Sequence, residues 1–83
     1  MMNKTEELLV ILAEECNEVA VEASKVIRFA NQEGRQPPLE RELGDLMCMY
    51  ELAVEAGLVD PAMVAVAAEA KREKLKKWSN LNV

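Results

Sequence analysis

Apolar residues recur along this chain at three- and four-residue steps, and the series breaks only where glycine and proline cluster. Leu8, Leu12, Cys16, Val19, Ala23, Val26 and Ala30 form the first series. That spacing lays one apolar stripe along a helix of 3.6 residues per turn. Leu43, Leu46, Tyr50, Ala53 and Gly57 form a second series. Val64, Ala68, Lys71, Leu75 and Trp78 share a third face, widened by Val66, Ala67 and Ala70. No alternation of period two persists, so the pattern excludes strands.

The breaks give three helices. The first is expected from Lys4 to Asn31, capped by Asn3 or Thr5, with Gly34 just past its end. The linker Gln32-Glu33-Gly34-Arg35-Gln36-Pro37-Pro38 reads as unable to continue a helix. A second helix is expected from Leu39 to Ala56, stopped by Gly57. Asp60-Pro61 opens the third, as an N-cap followed by proline at the first helical position, and it runs to Trp78. The tail 79–83 reads as frayed or docked on a partner.

The fold class is therefore all-α, a small bundle of about three helices in a single domain spanning 1–83. Composition agrees, since 51% of the residues are hydrophobic and only 4% aromatic. A chain of 83 residues buries only about 60% of the surface its unfolded form exposes. With no staple, it is expected to gain further burial by oligomerising.

Charge narrows the functional classes. The net charge is −5, which argues against a nucleic-acid binder that neutralises phosphates with a basic surface. Residues 1–60 carry five Lys/Arg against thirteen Asp/Glu, while residues 61–83 carry five against two. An acidic body with a basic tail suits a cation site beside an anion-binding segment, or two surfaces that help subunits pair. Histidine is absent and there are two cysteines, Cys16 and Cys48. That pair cannot make the usual zinc sets or a His-activated nucleophile. The N-terminus is polar, and no apolar run approaches the ~20 residues of a membrane span. A cytoplasmic setting without a membrane partner is expected, with both cysteines reduced and packed as small core residues.

The carboxylates are the informative residues. Glu15, Glu18 and Glu22 are three and four apart, so they share one side of the first helix, adjoining its apolar stripe. Glu42 and Asp45 are three apart beside the stripe of the second helix, with Gly44 between them. Glycine inside a helix costs roughly 1 kcal/mol relative to alanine, and close approach of a backbone or ligand is one reason to accept that cost. Antiparallel packing of the two helices lets the acidic pairs face each other. Such faces are either solvated surfaces or a site for a hard cation, Mg²⁺ or Mn²⁺, which keeps positions open for water and phosphate oxygens.

Glu14-Glu15-x-x-Glu18 followed by Glu42-x-x-Asp45 resembles the EExxE…ExxD signature of the MazG-like, all-α nucleoside triphosphate pyrophosphohydrolases. The likeness extends through Glu22-Ala23-Ser24-Lys25 with Ile27-Arg28-Phe29, through 39–46, and to Lys71-x-x-Lys74-x-x-Lys77-Trp78-Ser79, so it covers about 6 to 79. It implies a helical bundle, assembled as a homodimer or homotetramer, that cleaves a nucleoside triphosphate between the α and β phosphates, giving a monophosphate and pyrophosphate. It implies Glu15, Glu18, Glu42 and Asp45 as ligands of Mg²⁺ (or Mn²⁺). Glu14 would hold a second metal or an activating water. Lys25, Arg28, Lys71 and Lys74 would grip phosphates, or else serve solubility and ion pairing. The phosphoribosyl-ATP pyrophosphatase branch follows the same logic, and a non-catalytic helical oligomer that binds nucleotide or protein is the alternative from another class. The chain is shorter than many such enzymes, and a fourth helix is missing or reduced to the tail. A partner subunit would then complete the bundle. Tyr50 and Trp78 are expected to pack rather than stack on a base.

Overall fold

The computed structural model describes residues 1–30, 34 and 36–83, and three helices occur among them: α1 (Lys4–Arg28), α2 (Gln36–Glu55) and α3 (Pro61–Trp78). Asn3 caps α1 reciprocally. Its Oδ1 accepts from the Glu6 N–H at 2.8 Å, and its Nδ2 donates to Glu6 Oε1 at 2.7 Å. Glu6 and Glu7 in the first turn, with Lys25 and Arg28 in the last, match the helix dipole. The helix ends at Arg28, short of the expected Asn31, and the Phe29 N–H closes the last turn on the Lys25 carbonyl. Asn31 itself lies outside the described residues, as do Gln32, Glu33 and Arg35 of the expected linker.

α2 starts at Gln36, three residues before the expected Leu39. Pro37 and Pro38 are part of its first turn, where the missing N–H groups have no intrahelical partner to lose. The prolines thus begin the helix that they were expected to precede. At its other end Gly57 adopts φ +74°. The Leu58 N–H reaches the Ala53 carbonyl and the Gly57 N–H the Val54 carbonyl, each at 3.0 Å, which is a Schellman termination. α3 opens as expected, with Asp60 Oδ1 accepting from the Ala62 N–H at 2.9 Å and Pro61 at the first position. Ser79 ends it: its Oγ donates to the Leu75 carbonyl at 2.7 Å and accepts from the Leu81 N–H at 3.1 Å.

α1 and α2 pack along each other as a hairpin, and the short connection between them makes them antiparallel. Among the described residues, Met49 and Ala53 of α2 are the buried hydrophobic ones. The α1 stripe is covered only partly: Leu8, Leu12, Val19, Ala23 and Val26 are half-buried, and Cys16 is exposed. α3 diverges from the hairpin, and residues 61–74 are all exposed. Its expected apolar face is therefore open to solvent within one chain, with Leu75 half-buried and Trp78 83% exposed. Both cysteines are free and exposed, which corrects their expected place in a core. Two packed helices leave the flanks bare that a third would cover. Among the described residues no helix is long and apolar enough to cross a membrane.

Candidate metal centre

The two acidic motifs meet across the hairpin. Glu15 comes from the middle of α1, and Glu42 and Asp45 from the first half of α2. One carboxylate oxygen of each lies within 4.8 Å of the others. Glu15 and Glu42 are half-buried and Asp45 is exposed, so the group sits at the seam of the hairpin with one side open to water. The antiparallel packing produces this, because the flank of the α1 stripe that carries Glu15 faces the flank of the α2 stripe that carries Glu42 and Asp45.

The remaining acidic residues of the motif are close by. The Glu15 carboxyl is pushed above its ordinary value by burial at the seam, then by the charges of Asp45, Glu42, Glu18 and Glu14. Every charged neighbour acting on Glu15 among the described residues is thus acidic. Glu14, Glu15, Glu18, Glu42 and Asp45 thus share one neighbourhood, while Glu22 pairs with Lys25 instead. Glu18 and Glu14 are exposed, and both lie outside the tight group of three. Three carboxylate oxygens within 4.8 Å of one another could hold a metal ion, and donors of this hard type suit Mg²⁺ or Mn²⁺.

Gly44 lies between the two α2 ligands. A Cβ built there meets nothing within 4 Å. The expected close approach by a backbone is therefore not made by the described part of this chain.

The expected phosphate-binding cations are less well gathered. Lys25 pairs with Glu22 at 3.2 Å, on the same helix. The Arg28 guanidinium lies 5.5 Å from the centre of the Phe29 ring. Lys71 and Lys74 are exposed on α3. α3 also bounds a feature that the sequence reading did not anticipate, an open apolar cleft of about 540 Å³ between α2 and α3, lined by residues that include Leu43, Met47, Tyr50, Val64 and Ala68. The signal was present in the α2 and α3 stripes, but the sequence does not say that they face each other across a gap.

No family model matches the chain, and neither a curated protein nor a solved structure matches it.

Proposed function

We propose that the chain is a Mg²⁺-dependent nucleoside triphosphate pyrophosphohydrolase of the MazG-like kind, working in the cytoplasm as a homodimer or homotetramer. The observation that carries this reading is the convergence of Glu15, Glu42 and Asp45 from two helices to within 4.8 Å. In this reading Glu15, Glu42 and Asp45 hold the metal, with Glu18 completing the set from the next turn of α1. When bound, the divalent ion neutralises triphosphate charge and makes a water more acidic (Mn²⁺ can substitute). Glu14, beside the cluster, accepts the proton of the attacking water. That water bonds to the α-phosphorus as the bond to the bridging α–β oxygen breaks, and pyrophosphate leaves. Lys25, Arg28, Lys71 and Lys74 offset charge on the leaving group.

The test is a panel of canonical and modified triphosphates, phosphoribosyl-ATP included, incubated with protein and Mg²⁺. Pyrophosphate release that drops by about 10²–10³-fold in both Glu18→Ala and Asp45→Ala is the expected result, the size seen when one group stabilising transition-state charge is removed. Nucleotide binding without turnover across the panel would make the chain a binding module instead.

A further inference from the structure

Lys25 continues the row of acids that leads away from the metal centre. Glu15, Glu18, Glu22 and Lys25 succeed one another at steps of three, four and three, so they run along one flank of α1. Arg28, thirteen residues past Glu15, lies about 140° round the helix from it. The row thus ends in a cation, and that cation is held. Lys25 Nζ donates to Glu22 Oε2 at 3.2 Å. The Glu22 side chain is only 12% exposed and that of Lys25 36%. Lys76 and Glu73 on α3 are also paired, but at 48% and 58% exposure, and a pair so solvated contributes little.

Lys25 stands ten residues beyond Glu15, about 15 Å along the helix axis. Glu22 stands seven residues beyond it, about 10 Å along the axis. The bond to Glu22 therefore draws the ammonium one turn back toward the acidic cluster. An ammonium has three N–H donors, so two remain once Glu22 has accepted one. Glu22 itself lies outside the tight group of three carboxylates, and its charge is matched by Lys25 rather than by a metal. We propose that Glu22 is a positioning residue: it holds Lys25 Nζ on the flank of the metal centre, where the ammonium receives the far phosphates of a metal-bound triphosphate. This role rests on the proposed function above. It singles out Lys25 from the four candidate cations as the one fixed beside the metal.

The test is titration calorimetry with inorganic triphosphate in excess Mg²⁺, on the wild type, Glu22→Gln, Lys25→Met and the double variant, with circular dichroism as the check on folding. Glu22→Gln removes a negative charge near the phosphates, so charge alone would tighten binding. Positioning has the opposite sign: the Kd should rise about 10-fold, the size of one lost hydrogen bond to a charged group. Lys25→Met should lose at least as much. The double variant should lose no more than Lys25→Met, because Glu22 acts through Lys25. Unchanged or tighter binding in Glu22→Gln overturns the role, and so do additive losses in the double variant. Unchanged binding in Lys25→Met overturns it too, and that variant decides the matter even where Glu22→Gln does not fold. A wild type that binds no triphosphate overturns this role and the proposed function together. The expected binding pattern without pyrophosphate release from any nucleotide overturns the hydrolytic reading alone and leaves the Glu22–Lys25 role standing.

Discussion

α1 and α3 are written with the same local grammar. Each starts on a side chain that accepts from the first turn, Asn3 for α1 and Asp60 for α3, and each carries basic residues in its last turn. Each also has an apolar stripe. Yet α1 lies along α2 and half-buries most of its stripe, while α3 leaves residues 61–74 exposed. Capping and charge at the ends help decide that a helix forms, and both helices have an N-cap and a basic last turn. Packing decides what a helix is for, and here it differs. The hairpin has a small core and a cluster of acids at its seam. α3 has an open face and a positive charge.

The largest effect expected of a single change separates the two regions on stability. Ala53→Asp puts an unpaired charge into the hairpin core and should lower stability by about 3–5 kcal/mol. Ala70→Asp on α3, exposed and outside the cleft, should cost under about 1 kcal/mol. Urea unfolding followed by circular dichroism measures both, and equal losses would erase the distinction between a packed hairpin and an unpacked helix.

Metal binding sharpens the comparison next. A ligand bound only by the native state stabilises it by about 2.7 kcal/mol at 100 times its Kd. Thermal melts with Mg²⁺ should therefore shift upward by roughly 10 °C or more. The shift should vanish in Asp45→Ala and persist in a Lys71→Ala Lys74→Ala double variant. An upward shift that survives loss of Asp45 would place the ion somewhere other than the hairpin seam.

A smaller effect is expected at Gly44. The position is helical and has open space around it, so Gly44→Ala should raise the melting temperature, by an amount equivalent to roughly 1 kcal/mol. If phosphate approaches this point, the same change should lower pyrophosphate release. A variant that is more stable and equally active would remove Gly44 from the site.

The smallest expected effect is a pH slope. Glu15 has a folded pKa raised above its ordinary 4.5 by burial and by its acidic neighbours. The folded state therefore holds this proton more tightly than the unfolded chain does. Its contribution to stability declines as pH rises from about 4.5 through the folded pKa, and the full penalty is present above that value. Metal-free Glu15→Gln should be more stable than wild type at neutral pH, with the gap closing as pH falls. A gap that stays constant with pH would mean that the acids around Glu15 are too well solvated to act on one another.

Much of this was readable from residues alone. The three helices, the caps at Asn3 and Asp60, the stop at Gly57 and the flanks carrying Glu15, Glu42 and Asp45 all follow from spacings of three and four and from backbone preferences. These are local properties, set within one or two turns of chain. Pro37 and Pro38 were misread for a local reason as well: proline is excluded from helix interiors but accepted in a first turn, and the sequence alone did not show which of the two applied.

What tertiary structure decided was which flanks touch. It brought Glu15 against Glu42 and Asp45, kept Glu14 and Glu18 at the margin, and left Cys16, Cys48 and residues 61–74 of α3 exposed. Periodicity gives each helix an apolar side but says nothing about the angle at which the next helix leaves its turn. Burial depends on that angle, because contact between surfaces far apart in the chain is a property of their placement and of no single segment.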